Sequence, residues 1–153
     1  MNILTEGRQA LVARLETITQ ANGYRTNAGH SVKSGWLNEA LKEEQTPFPC
    51  IVVQPARGTT PERGPNALKL GKGFSVTGAV SVGVEYESAL EDLELDILKC
   101  LIPEVGRFPR WLPLGITNIQ IGAPDAFPPG EGVAAAAILI PVHLSTIVEG
   151  VRS

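Results

Sequence analysis

The chain has little of what chemistry usually requires. Its 153 residues include two histidines, His30 and His143, and two cysteines, Cys50 and Cys100. The cysteines lack a C-x-x-C spacing and fit neither a disulfide framework nor a zinc site. Both sit inside apolar runs, Pro49-Cys50-Ile51-Val52-Val53 and Leu98-Lys99-Cys100-Leu101-Ile102, so they read as buried small hydrophobes. No apolar run reaches the ~18 residues that a membrane span needs. The nearest, residues 133–144, is interrupted by Pro141 and His143. The first six residues show no basic region leading into an apolar run, so a soluble, intracellular chain is expected, with no membrane partner. Basic excess is missing as well: 13 Lys+Arg stand against 16 Asp+Glu, a formal net charge of −3. That balance argues against sequence-specific nucleic-acid binding, which normally shows a basic face.

Catalytic signatures are missing too. A phosphate-binding loop ending at Gly71-Lys72 would need glycine at 66 and Ser or Thr at 73, where Asn66 and Gly73 stand. Gly71-Lys72-Gly73 reads instead as the lead-in to a strand. Neither a dinucleotide-binding glycine pattern nor a G-x-S-x-G elbow occurs. His143 lies opposite in phase to Val142 and Leu144 and reads as a surface or interface histidine. No catalytic residue, cofactor or metal ligand is assigned, and a non-enzymatic role is expected.

What is present is enough for one core. Hydrophobic residues make up 43% and charged residues 19%, and a chain of this length buries roughly two-thirds of its unfolded surface. A single domain over residues 1–153 is expected. The 16 glycines and 12 prolines are concentrated: residues 55–73 hold seven of them and residues 103–132 eleven.

Leu4, Leu11, Leu15 and Ile18 mark an amphipathic helix of about five turns, capped by Asn2 or Thr5 and ended at Asn22-Gly23. Residues 24–37 are read as holding a short strand, and residues 38–45 one or two helical turns. The β-branched run Cys50-Ile51-Val52-Val53 between prolines predicts a strand buried on both faces. Residues 56–73 are read as a long polar loop, and loops of that length are usually functional or mobile. Strict alternation predicts a strand over residues 74–86, with Gly78 marking a bulge or a close backbone approach. Ser88 and Glu91 match a capping box opening a helix through Ile102, with Leu90, Leu93, Ile97 and Leu101 as its apolar stripe. A short strand at residues 116–121, a projecting turn at 122–132 and a last strand at 133–148 follow. Pro141 places that last strand at a sheet edge or breaks it there. The fold class is α+β: a two-layer sandwich with a mainly antiparallel sheet of four to five strands, joined as hairpins and covered by two helices.

Charge is unevenly spread. Between Glu85 and Glu104 there are seven acids against Lys99 alone, whereas residues 54–73 carry Arg57, Arg63, Lys69 and Lys72 against Glu62. Glu91, Asp92, Glu94 and Asp96 spread around their helix. That suits a solvated face complementing the helix dipole better than a metal site, whose ligands converge. A docking surface is the second reading: opposite fields on one small domain permit head-to-tail contact between copies. The candidate interface residues are Arg57, Arg63, Lys69, Lys72, Glu91, Asp92 and Glu94.

The order of elements resembles a known family. A leading amphipathic helix, the Pro-Phe-Pro-Cys-Ile-Val-Val strand and a long basic loop are followed by an alternating strand, a capped helix and a closing strand pair. That pattern is similar to the tail terminator proteins of long-tailed bacteriophages, the family that includes the lambdoid minor tail protein U. The resemblance runs from about Leu4 to Val148 and is one of pattern and length, with no short motif. It implies an α+β subunit assembling into a hexameric ring on the head-proximal end of the tail tube, formed in the host cytoplasm. Such a ring stops tube polymerisation and offers a surface for head–tail joining. The implied partners are further copies, the tail tube protein and a neck or head-completion protein. Another head–tail connector, or a small α+β metal- or ligand-binding enzyme module using the second helix or His143, are the alternatives.

Overall fold

The computed structural model describes residues 1–42, 47–83, 85–102, 109–129 and 135–151. Its order is α1 (Ile3–Leu15), β1 (Val32–Ser34), α2 (Leu37–Lys42), β2 (Cys50–Gly64) and β3 (Ala67–Ser81), then α3 (Tyr86–Leu101), β4 (Ile116–Ile121), β5 (Asp125–Phe127) and β6 (Ala135–Glu149). The class is α+β, with one open, mostly antiparallel sheet in the order β1-β2-β3-β6-β4, and β5 also on β6. The three-residue strands β1 and β5 take the count to six. β1 runs parallel to β2, with Val32 opposite Ile51, so this pairing is no hairpin.

α1 starts where the sequence places it: the Asn2 side chain accepts from the Thr5 N–H at 2.8 Å. It stops at Leu15, short of the five turns expected. Thr17, Ile18 and Thr19 are β-branched and disfavour the helix. The Thr17 hydroxyl also donates back to the Arg14 carbonyl at 2.6 Å. A short 3-10 turn, Gln20–Asn22, follows, and Gly23 closes it at φ 90°.

Leu11, Leu15 and Ile18 join Leu93, Ile97 and Leu101 of α3 over the sheet residues Ile51, Val53, Phe74, Val76, Ile138, Ile140, Val142 and Leu144, all of them buried. This is the main core, on one face of the sheet. Leu37 and Leu41 of α2 pack on Cys50, Ala79 and Ala135, which stand in opposite phase. Cys50, Ile51, Val52 and Val53 are all buried, as their run predicts. Gly78 is a close approach rather than a bulge. β3 pairs with β6 in unbroken register there, and a Cβ on Gly78 would lie 2.6 Å from Leu93 Cδ2 and 3.2 Å from Ile97 Cδ1.

Four further expectations change. The alternating strand ends at Ser81; Val82 is exposed and Tyr86 already belongs to α3. Position 84 lies outside the described residues. Ser88 is not the helix cap, because α3 opens at Tyr86, which packs on the core, after Glu85 at φ 68° without a side-chain cap. β6 is central rather than an edge, flanked by β3 and by β4 and β5. Pro141 is tolerated because its carbonyl accepts from the Gly122 N–H at 2.8 Å. Its missing donor therefore faces the same side, in the gap between β4, which pairs at Val142, and β5, which pairs at Leu139. Lastly, residues 122–132 are in part a strand, β5. The expectations for residues 43–45, 103–108 and 130–134 fall outside the described residues.

Candidate interaction surface

The expected polar loop at residues 56–73 is a long hairpin. β2 and β3 run together to a turn at Pro65-Asn66, with Asn66 at φ 50°. Proline followed by a positive-φ Asn is the chemistry a type II turn asks for. The Gly150 N–H donates to the Asn66 carbonyl at 2.8 Å, which fastens the tip to the end of β6. The glycines that made the segment look like a loop serve two register shifts in β2, between Ala56 and Thr59 and between Thr59 and Glu62. A Cβ on Gly73 would strike the Arg57 carbonyl oxygen, and one on Gly71 the Thr59 hydroxyl.

This hairpin extends past the helices. The last β4 pairing on β6 is Ile116 with Thr146, so beyond that row the sheet is an arm of three strands: β2, β3 and β6. Residues 57–66 are exposed throughout, and so are Leu68, Lys69, Ile147, Val148 and Glu149.

Register sorts the arm's side chains by face. Arg63 stands across from Leu68, and Leu68 across from Val148; Lys72 stands across from Leu144 of the main core. Cross-strand partners share a face, so Arg63, Leu68, Lys72 and Val148 lie on the side that carries α1 and α3. The Lys72 ammonium sits 6.0 Å from the Phe74 ring centroid. Glu62, Lys69 and Ile147 form the neighbouring row on the opposite face. There the four predicted cations part company. Arg63 and Lys72 share one face with no acid, Lys69 opposes Glu62 on the other, and Arg57 lies at a register shift. The Arg57 carbonyl is 3.3 Å from His143 Nε2, so His143 does point away from the main core, as its phase predicts.

The acids are at the other end. α3 begins after β3 has run its full length and doubles back, so that Leu93 meets Gly78. From Leu68 to Gly78 along β3 is roughly 33 Å at ~3.3 Å per residue. Glu87 and Glu91 are exposed and Glu94 half-buried. Asp92 reaches Arg25 at 3.6 Å, an exposed pair of little energetic weight. Among the described residues, none of Arg57, Arg63, Lys69 and Lys72 forms an ion pair with an acid.

Asp96 is not part of the solvated face. It is 1% exposed and accepts from the Arg25 N–H at 3.0 Å, the Thr26 N–H at 2.8 Å and the Thr26 hydroxyl at 2.7 Å. Its work is to pin the segment after α1 onto α3. The spacing hid this, because Asp96 neighbours Ile97 yet sits in a run of acids.

Burial pushes the Cys50 and Cys100 thiols up from the ordinary range, away from the thiolate that nucleophilic chemistry needs. Cys100 Sγ donates to the Arg14 carbonyl at 3.1 Å, and Arg14 Nε donates to the Cys100 carbonyl at 2.9 Å. Tyr24 is also pushed up, first by burial and then by Cys100. No group of three or more His, Cys, Asp or Glu among the described residues is placed to hold a metal ion. Among the described residues, no helix is long and apolar enough to cross a membrane. Compared with models of protein families and with curated proteins, the chain matches none.

Proposed function

We propose that the protein is a structural component that assembles with copies of itself into a closed ring, as a tail-terminator-like subunit of a phage virion. In this reading it caps the head-proximal end of a tail tube, ends tube growth and offers a surface to a neck or head-completion protein. No chemical step is assigned to it. The observation that carries the reading is the separation of charge along one sheet: an arm whose helix-side face carries Arg63 and Lys72 with no acid at one end, and an acidic helix half at the other. Along β3 the arm's cations stand roughly 20 Å (Lys72) to 33 Å (Arg63, across from Leu68) from the row of Gly78, about two and a half to four Debye lengths at physiological salt, so within one subunit they are largely screened from the acids of α3. A second copy can meet the first head to tail, the heterologous geometry that closes into rings. The resemblance in element order to tail terminators supports the same reading and supplies the tube and neck as further partners.

Negative-stain imaging of isolated tail tubes mixed with the purified protein tests this. The expected result is a ring of uniform diameter at one end of each tube, with no tube growth beyond it. Bare tube ends, or protein attached only to capsid necks, would contradict the terminator role; the second outcome would assign it to a connector.

A further inference from the structure

The arm and α3 carry matching faces, and this narrows how two copies meet. On its helix side the arm presents Leu68, 41% exposed, beside Val148, 43% exposed. Arg63 stands in the same cross-strand row and Lys72 further along the same face. No acid shares that side of the arm, whereas the opposite side mixes Glu62 and Glu149 with Lys69. The outward side of α3 has the complementary composition. Leu93, Asp96, Ile97, Cys100 and Leu101 face inward and are buried. Leu95 is 43% exposed. Glu91 lies one turn before it and Glu87 two turns before it on the same face, Glu94 stands about a quarter turn round the helix and is half-buried, and Lys99, one turn after Leu95, is the one cation among them.

We infer that the helix-side face of one copy's arm docks on the outward face of α3 in the next copy. Leu68 and Val148 cover Leu95, while Arg63 and Lys72 meet Glu87, Glu91 and Glu94. This deepens the ring reading and rests on it. Charge complementarity selects the second copy as occupant: the arm face needs an acidic, partly apolar partner, and every subunit carries one at its far end. Docking by face rather than by edge follows from β2. β1 pairs with Ile51, Val52 and Val53, and among the described residues no strand lies outside the rest of β2. Pro55, Pro61 and the two register shifts blunt that edge against strand addition. Because the two patches differ and lie far apart, each copy uses one patch toward each neighbour, and the contact repeats around a closed ring.

The test uses the full chain and two exposed positions, Arg63 and Glu91, whose substitution leaves the core untouched. Assembly is followed by native mass spectrometry over a concentration series, with circular dichroism confirming the fold of each variant. Arg63→Glu and Glu91→Arg each place like charges together and should raise the concentration for half-assembly by about tenfold or more. The double variant, with the pair reversed, should return to within about threefold of the parent. Leu68→Cys combined with Leu95→Cys should then give disulfide-linked multimers on oxidation, and neither substitution alone should. If the parent assembles but the double variant is no better than the singles and no multimers form, the arm-to-α3 contact is wrong while ring formation stands. If the parent never assembles, alone or on tubes, both fall.

Discussion

At the scale of single residues, Asp96 does the most for the fold. A buried carboxylate survives only when its oxygens are satisfied, and Asp96 meets that condition with two backbone amides and one hydroxyl from Arg25 and Thr26. Asp96→Ala removes all three bonds and strands two amides beneath α3. It should lower unfolding stability by about 3 kcal/mol, with Asp96→Asn costing less because one amide oxygen still accepts. Urea denaturation of the three proteins checks the order. The sequence conceals this role because a run of four acids on one helix reads as a solvated face. Only the tertiary contact with the segment at Thr26 separates Asp96 from Glu94. Arg63 and Lys69 give a second case. Both were legible as interface candidates from charge, but which face each occupies depends on two register shifts that no spacing rule reveals.

At the scale of elements, apolar periodicity was a good guide wherever it could be seen. Of the α3 stripe, Leu93, Ile97 and Leu101 are buried as the spacing predicts while Leu90, in the first turn and a half, is half-buried, and β4 spans the residues expected of it. The sequence pattern hides the arm for a physical reason: Gly58, Gly71 and Gly73 look like loop punctuation, yet they are needed where β2 and β3 approach too closely for a Cβ. Pro141 misled in the same way. Its lost hydrogen bond does no harm where β4 and β5 leave a gap, and a gap of that kind is a property of the whole sheet. Gly78 offers the cleanest test of helix-on-sheet packing. A methyl there would press on Leu93 and Ile97, so Gly78→Ala should destabilise the protein by about 1–3 kcal/mol through overpacking. A rise in melting temperature for this variant would mean that α3 sits further from β3 than described.

At the scale of the whole molecule, the two charged segments acquire meaning from their placement. A formal charge of −3 says little; a basic arm and an acidic helix half at opposite ends of one open sheet make a subunit with a head and a tail. Asp92 partly spends its charge on Arg25, which leaves Glu87, Glu91 and Glu94 as the acids free to meet a neighbour's Arg63 and Lys72. The exposed apolar residues Leu68, Val148 and Leu95 lie on the same two patches, so burial and charge point to one contact. The central claim is therefore that copies meet head to tail through opposite charge. The most direct measurement is the native mass of the purified protein across a concentration series at low and at high salt. One closed oligomer is expected at low salt, in equilibrium with monomer, giving way to monomer as salt rises. A strict monomer under every condition, or an assembly that salt leaves unchanged, would contradict it.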